Sequence, residues 1–434
     1  MLDEVKIIGG KPLKGSVTPI PNKNSLVAVL PAAILTNEDV AYNNIPNTTD
    51  ISKILQILKL LGADVTHQKK SVIINCKKIK SFTIDPELGG EFRASLLFAG
   101  PLLARFGRAI IPMPGGCVLG FRSLSSHIDA FKRMGIKIKF NSKSIELTAP
   151  KKPAKKYRLW QLEASVTATE NLLMYAAGTD AQITITEAAC EPHVVDVQNL
   201  LVSMGAKISG IGSNKLIIKG NNCLKGAEFT PRPDFVDIAG FMVAAAVTDG
   251  CITIKNSNIP DIVDGLIHWM EMFGISIQKK NKDLIVKRKS KKLQINTKSS
   301  GFPTAAPGLP KLAPRPWPGF PVDLIPVIAT LASKAEGRLV LQNWMYESGL
   351  DFVRELNSLG ADIFVSTPQR VIINGPVKFK GGEVTPPRVI QATKAIFLAS
   401  LCDPVETTIN GFSILKRRYP NIIDVYRSLG AKIS

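Results

Sequence analysis

A single unit repeated six times constrains this 434-residue chain more than any other feature of its sequence. A bulky apolar residue, a glycine and then alanine or isoleucine recur at Leu61-Gly62-Ala63, Met134-Gly135-Ile136, Met204-Gly205-Ala206, Phe273-Gly274-Ile275, Leu359-Gly360-Ala361 and Leu429-Gly430-Ala431. The glycines step by 73, 70, 69, 86 and 70 residues. Apolar residues at helical spacing precede each one, as in Ile51, Ile54, Leu55, Leu58 and Leu61, so each glycine falls where a helix ends in the left-handed conformation. After the first five come a short alternating strand, a polar turn and a second strand, as in Ile136–Phe140 and Ser144–Leu147. The unit is a helix followed by a β-hairpin.

A second repeat joins the units. Ile7-Ile8 with Gly10 and Leu13-Lys14-Gly15 is echoed by Ile217-Ile218 with Gly220 and Leu224-Lys225-Gly226, and by Ile372-Ile373 with Gly375 and Phe379-Lys380-Gly381. The sixth helix is followed only by Lys432-Ile433-Ser434, and Val5-Lys6-Ile7-Ile8 is the strand that completes its hairpin. Six units of about 70 residues then form two domains of three units each. One is discontinuous, residues 1–21 plus 233–434; the other is the insertion 22–232. The fold class is α/β or α+β, with helices packed on sheets.

Other classes fall on composition. With 45% hydrophobic and 21% charged residues the chain reads as globular. No apolar run approaches the ~18 residues of a spanning helix, and the acidic start Asp3-Glu4 is unlike a signal peptide, so no membrane insertion and a cytoplasmic location are expected. The six cysteines include no closely spaced pair, and no HExxH, GxGxxG or P-loop pattern occurs. The net charge of +20 nominates an anionic partner: nucleic acid, a membrane surface or a phosphorylated substrate. The lysines are scattered over hairpin turns rather than clustered, so no nucleic acid is expected.

The 86-residue step holds a proline-rich stretch between Lys292 and Asp323, read as an ordered loop without a regular element and anchored by Trp317 and Phe320. A second loop, Pro112–Arg122, sets Cys117 between glycines with Arg122 five residues on, as a lid over an anion requires. Taken alone, Cys117 reads as a small buried hydrophobe and His127 as a surface residue at a helix start. Lys23 and Asn24 precede an apolar helix read as beginning at Leu26; Arg93 opens another, and Arg417-Arg418 precede the last. Cations there run against the helix dipole unless an anion sits nearby. Together with Asp50 and Asp323, lone acids at loop-helix junctions, they suggest an inter-domain cleft for a phosphorylated ligand.

These residues carry a resemblance. The sixfold repeat, Lys23-Asn24, Arg93-Ala94-Ser95, the loop Pro114-Gly115-Gly116-Cys117 with Gly120 and Arg122, and Pro318-Gly319-Phe320-Pro321 with Asp323 resemble the UDP-N-acetylglucosamine enolpyruvyl (1-carboxyvinyl) transferases of the EPSP synthase-like superfamily over essentially the whole chain. The resemblance implies two inside-out α/β barrel domains. It implies transfer of the enolpyruvyl group of phosphoenolpyruvate to the 3′-hydroxyl of UDP-N-acetylglucosamine, the first committed step of peptidoglycan synthesis, with no metal or organic cofactor. Cys117 would be the general acid and the thiol that fosfomycin alkylates; Asp323 would be the base. Lys23, Arg122 and Arg417 would hold phosphoenolpyruvate's anionic groups, Asn24 and Arg93 would position substrates, and Ser165 and Val166 would line the uridine-nucleotide site.

The chain departs from that family's pattern at five positions. Thr167 stands where glycine is usual and Val322 where threonine is usual, while Cys190, Gly349 and Gln391 replace arginines. Each lost charge-assisted contact, at about 1.5–3 kcal/mol, weakens anion binding. The alternatives are therefore a diverged enolpyruvyl transferase with another acceptor, or a catalytically weak paralogue with a binding role.

Overall fold

The structure, a computed structural model, describes residues 3–113, 123–295 and 309–434. The chain divides into two compact units: one combines the segment ending at Ile20 with Pro233–Ser434, and the other consists of described residues between Pro21 and Arg232. Each unit has its own apolar core. Cys117 and Arg122 lie outside the described residues.

All six repeat glycines adopt positive φ: 106° at Gly62, 78° at Gly135, 107° at Gly205, 77° at Gly274, 95° at Gly360 and 103° at Gly430. A side chain at any of them would strain the backbone, which is why this position survives in every copy. Behind each glycine the chain turns into a strand. The sixth unit closes as the sequence suggests: Glu4–Ile8 pairs antiparallel with Glu406–Asn410 on one side and with Lys432–Ile433 on the other.

Each unit contains three sheets among the described residues. A representative order is Ala227–Phe229, Asp39–Tyr42, Ser71–Asn75 and Asp64–Gln68, in which an antiparallel hairpin plus one strand is extended by a parallel edge strand. Alternation of exposed and buried residues, as along Glu4–Ile8 and Lys215–Lys219, gives each sheet one wet and one dry face. The dry faces cover helices that are buried all round. Phe235–Val247 has every residue buried, and Ile325–Lys334 and Ile390–Ser400 pack beside it; Ala99–Phe106 and Val166–Ala177 play the same part in the other unit. Helices inside and sheets outside make each unit an inside-out α/β barrel.

Two local expectations change. The first helix begins at Lys23, not Leu26, because Asn22 caps it: its Oδ1 accepts from the backbone N–H groups of Asn24 at 3.0 Å and Ser25 at 3.2 Å. The proline-rich stretch is not wholly without regular structure. Between Pro310 and Pro314, Lys311–Leu312 still pairs in parallel with Val340 and Leu341, since neither paired residue is a proline. The aromatic anchors hold as read: Trp317 packs on Phe235 at 5.4 Å and Phe320 meets Trp269 edge-on at 5.3 Å between ring centroids.

The joining glycines of the second repeat are packing devices. A Cβ on Gly220 would collide with the carbonyl oxygens of Ala176 and Thr179, and one on Gly375 with those of Ala335 and Ala332. Backbone cannot yield as a side-chain tip can, so Gly220→Ala is expected to destabilise by about 2 kcal/mol or more in urea unfolding. Gly265→Ala, in the Pro260–Glu271 helix with nothing within 4 Å, is expected to stabilise by roughly 0.5–1 kcal/mol. Equal effects at the two sites would contradict this account of the repeat.

Candidate active site

In the unit that begins at Pro21, Lys23 is the first residue of its helix and is only 8% exposed. A buried ammonium needs a counter-charge. Asp50, in the first turn of Thr49–Leu61, supplies it: Lys23 Nζ donates to Asp50 Oδ2 at 2.5 Å. Asp50 is therefore not the lone acid that the sequence suggests. Two residues on, Ser25 donates to Asp196, whose other oxygen accepts from Arg232 Nε at 2.8 Å. Burial pushes the Asp196 carboxyl up while Arg232 and Ser25 pull it down. The helix start is thus fixed from below by two acid–base contacts, with Asn24 half-buried beside them.

Arg93 opens a 3-10 turn, Arg93–Phe98, that runs on into Ala99–Phe106, and its Nη2 donates to the Ser123 carbonyl at 3.0 Å. His127 is not the surface residue expected from sequence. It is 4% exposed, because the Ser125–Arg133 helix turns it inward, and burial first and then Arg93 push its imidazole down to about 3. Its ring is therefore neutral at pH 7. The Thr167 carbonyl opposes that shift, which places Arg93, His127 and Thr167 in one neighbourhood. Thr167 lies in the first turn of Val166–Ala177, a helix with no acid in that turn and with Ser165 as a cap residue whose side chain makes no capping bond. Ser165, Val166 and Thr167 are all half-buried. A helix start with nearby cationic and neutral donors can receive an anionic group.

At the position of Cys190 the chain presents no cation. Burial, then Glu191 and Glu187, push the Cys190 thiol up to about 11. Burial and Glu191 likewise hold the carboxyl of Glu170 well above the usual range.

In the other unit, Asp323 sits in the 3-10 turn Val322–Leu324 ahead of Ile325–Lys334, its side chain 35% exposed. The neighbouring guanidinium is that of Arg418, with Nη1 3.7 Å from Asp323 Oδ2. Arg418 makes a two-pronged pair with Asp234, Nε to Oδ2 and Nη2 to Oδ1, both at 2.9 Å. Asp234 also caps Phe235–Val247, accepting from Val236 N at 2.9 Å. Burial opposes the Arg418 charge, but Asp234, Tyr419 and Asp323 hold it above the ordinary arginine range. Arg417, the residue singled out from sequence, ends the preceding turn Phe412–Arg417 half-buried. The adjacent arginines thus divide: Arg418 is buried and paired with Asp234 inside the protein, while Arg417 is half-buried.

A second buried pair escaped the sequence reading. Lys394, 1% exposed in the middle of Ile390–Ser400, points its Nζ at Asp237 Oδ1 across 3.9 Å. Around the ammonium stand Tyr419 at 4.4 Å, Tyr426 at 4.7 Å, Phe241 at 5.6 Å and Phe397 at 5.7 Å. Aromatic faces partly replace the lost water. Gly240 makes the room, since a Cβ there would lie 3.2 Å from Lys394 Cε. Burial lowers Lys394 to about 8 and raises Asp237 to about 6. The signals available in sequence were a lone lysine in an apolar helix and two aspartates three residues apart at a helix start.

Asp323, Gly349 and Gln391 line one small open pocket within this unit, with Asn343, Tyr346 and Phe352 among its walls. Three positions that the sequence flagged separately therefore come together. Among the described residues no group of acids, histidines and cysteines suits a metal ion.

Comparison with known proteins puts these features in context. The family model described as EPSP synthase (3-phosphoshikimate 1-carboxyvinyltransferase) matches residues 7–426. The UDP-N-acetylglucosamine 1-carboxyvinyltransferase of Bradyrhizobium diazoefficiens is 36% identical over 426 residues, covering 98% of this chain and 96% of that protein. Its namesake from Treponema denticola is 35% identical, covering 100% and 99%. In fold, the enolpyruvyl transferase NikO from Streptomyces tendae superposes with a TM-score of 0.86 at 20% identity, covering 100% of this chain and 99% of that one.

The Lys394 environment sets a pH dependence. Its folded pKa lies below the ordinary lysine value, so between about pH 8 and the unfolded value the unfolded chain binds the extra proton and stability rises with pH. Lys394→Met removes that gain. The stability of the wild type relative to this variant is expected to improve by on the order of 1 kcal/mol or more from about pH 7 to about pH 9.5 in urea unfolding. A pH-independent difference would contradict the burial argument.

Proposed function

The chain belongs to the EPSP synthase family, and from that premise we propose that it transfers the enolpyruvyl group of phosphoenolpyruvate to the 3′-hydroxyl of UDP-N-acetylglucosamine, releasing phosphate. The observation that carries this reading is identity of 32–36% over at least 98% of the chain with proteins named for that activity. The reaction serves peptidoglycan synthesis and takes place in the cytoplasm. Among the described residues no helix is long and apolar enough to cross a membrane.

The chemistry is addition followed by elimination. Asp323 takes the proton from the sugar hydroxyl, and its partial exposure leaves that carboxylate reachable. Cys117 delivers a proton to the methylene carbon of phosphoenolpyruvate, and the sugar oxygen bonds to the adjacent carbon to give a tetrahedral ketal. Loss of a methyl proton and departure of phosphate restore the double bond. Lys23, Arg122 and Arg417 neutralise the phosphate and carboxylate, Lys23 also serving the ketal, with its ammonium aimed by Asp50. Asn24 and Arg93 position the substrates, and Ser165 and Val166, at the start of a 12-residue helix, meet the nucleotide. In the same reading the Cys117 thiol is the group that fosfomycin alkylates.

Phosphate release from phosphoenolpyruvate, with and without UDP-N-acetylglucosamine, tests the proposal. Release is expected to depend on the acceptor and to fall by at least about 100-fold near neutral pH in Cys117→Ala. Cys117→Asp is expected to stay active while resisting fosfomycin, because a carboxyl delivers a proton but attacks an epoxide poorly. No release with this acceptor would sink the reading, and an unimpaired Cys117→Ala would sink the role of the thiol.

A further inference from the structure

We propose that the cavity beside Asp323 is a specificity pocket for a hydrogen-bond-donating, non-anionic substituent of the acceptor, recognised by Asn343 and Gln391. The inference rests on the enolpyruvyl-transfer reading for the identity of the acceptor; the character of the pocket comes from its own walls.

Asn343 is 2% exposed and Gln391 7% exposed. The carbonyl oxygens of both side chains, Asn343 Oδ1 and Gln391 Oε1, are buried and have no hydrogen-bond partner among the described residues. Their amide nitrogens are already committed: Asn343 Nδ2 donates to the Gly349 carbonyl at 3.3 Å and Gln391 Nε2 to the Tyr419 hydroxyl at 3.4 Å. What the two side chains keep for a ligand is acceptor capacity. Asp323 adds a third acceptor, and among the described residues no lysine or arginine lines the cavity. A phosphate or carboxylate entering it would meet these three acceptors and no lysine or arginine among the described lining residues. An N–H or O–H placed against them would satisfy oxygens that are otherwise without a partner among the described residues.

Gly349 belongs to the same device. A Cβ there would collide with the Asn343 amide, so any larger residue at this position displaces the group that recognises the donor. Gly349 and Gln391, two positions that depart from the family's sequence pattern, are thereby coupled through one pocket rather than being separate losses. Phe352, Val389 and Pro387 supply apolar wall beside the acceptors. An acetamido group, with one N–H and a methyl, fits both surfaces, so the pocket selects an acylated amine next to the reacting hydroxyl.

Calorimetric binding of UDP-N-acetylglucosamine and UDP-2-deoxyglucose, which lacks the substituent, tests this without requiring turnover. The wild type is expected to favour the acetamido sugar at least about fivefold. Gln391→Leu is expected to bring the ratio close to one, while Gln391→Glu, isosteric and still an acceptor, keeps it; a melting temperature within a few degrees of wild type certifies each variant. Equal binding of the two sugars by the wild type, no binding of either, or a ratio unchanged in Gln391→Leu would overturn the proposal. So would a tenfold rise in the phosphoenolpyruvate KM in Gln391→Glu, which would mean that the pocket holds an anion. Selective binding without phosphate release overturns the reaction and leaves the pocket standing; release without selectivity does the reverse.

Discussion

Arg418 carries a full positive charge at 4% exposure, and such a group persists only where carboxylate oxygens meet it in good geometry. Asp234 does so with both oxygens. Much of its unit depends on that contact. Asp234 caps the most buried helix, Phe235–Val247, and its backbone N–H donates to the Ile20 carbonyl at 2.9 Å, tying together the points where the chain leaves and re-enters the unit. Ile20 N in turn donates to Asp237 Oδ2 at 3.1 Å, and Asp237 faces Lys394. The outer side of Arg418 faces Asp323. A continuous set of charges thus runs from the helix core to the carboxylate proposed as the base. Breaking one member leaves a buried charge unpaired at a cost of about 3–5 kcal/mol, so the network acts more as a positioning device than as net stabilisation.

The repeat was legible because its signals are local and obligatory. Positive φ at Gly62, Gly205 and Gly430 admits few residues besides glycine, and the apolar periodicity before each is set by one buried helix face. The strand Val5–Ile8 was legible as the missing half of the last hairpin because a chain of such units leaves one pairing open. Burial created by tertiary packing was not legible. Nothing local separates Arg417 from Arg418; only the position of Asp234, far away in sequence, decides which is buried. His127 looked like a surface residue because helix starts are usually wet, and the burial of Lys394 could not be read because the four rings around it are brought together only by the fold. The start at Lys23 was missed for a smaller reason: the capping capacity of Asn22 outweighed the apolar pattern that begins at Leu26.

The net charge of +20 divides into two populations of cations. The cations with a structural or proposed substrate role, such as Lys23, Arg93, Arg232, Lys394, Arg417 and Arg418, are few and mostly buried or half-buried, and most sit near an acid that aims them. Hairpin cations such as Lys69, Lys70, Lys279 and Lys280 are exposed and contribute chiefly to the long-range field that draws anionic substrates. Around Asp323 the local pattern opposes the global one. Among the described residues its lining includes Asp323, Asn343 and Gln391 but no lysine or arginine, so the excess of cations does not extend to this wall.

The most direct test of the central claim is the identity of the product. Incubated with phosphoenolpyruvate and UDP-N-acetylglucosamine, the protein should give, by phosphorus and proton NMR, inorganic phosphate in equal amount with a UDP-sugar bearing an enolpyruvyl ether on its 3′-oxygen. Unchanged substrates, or phosphate formed without that ether, would contradict it.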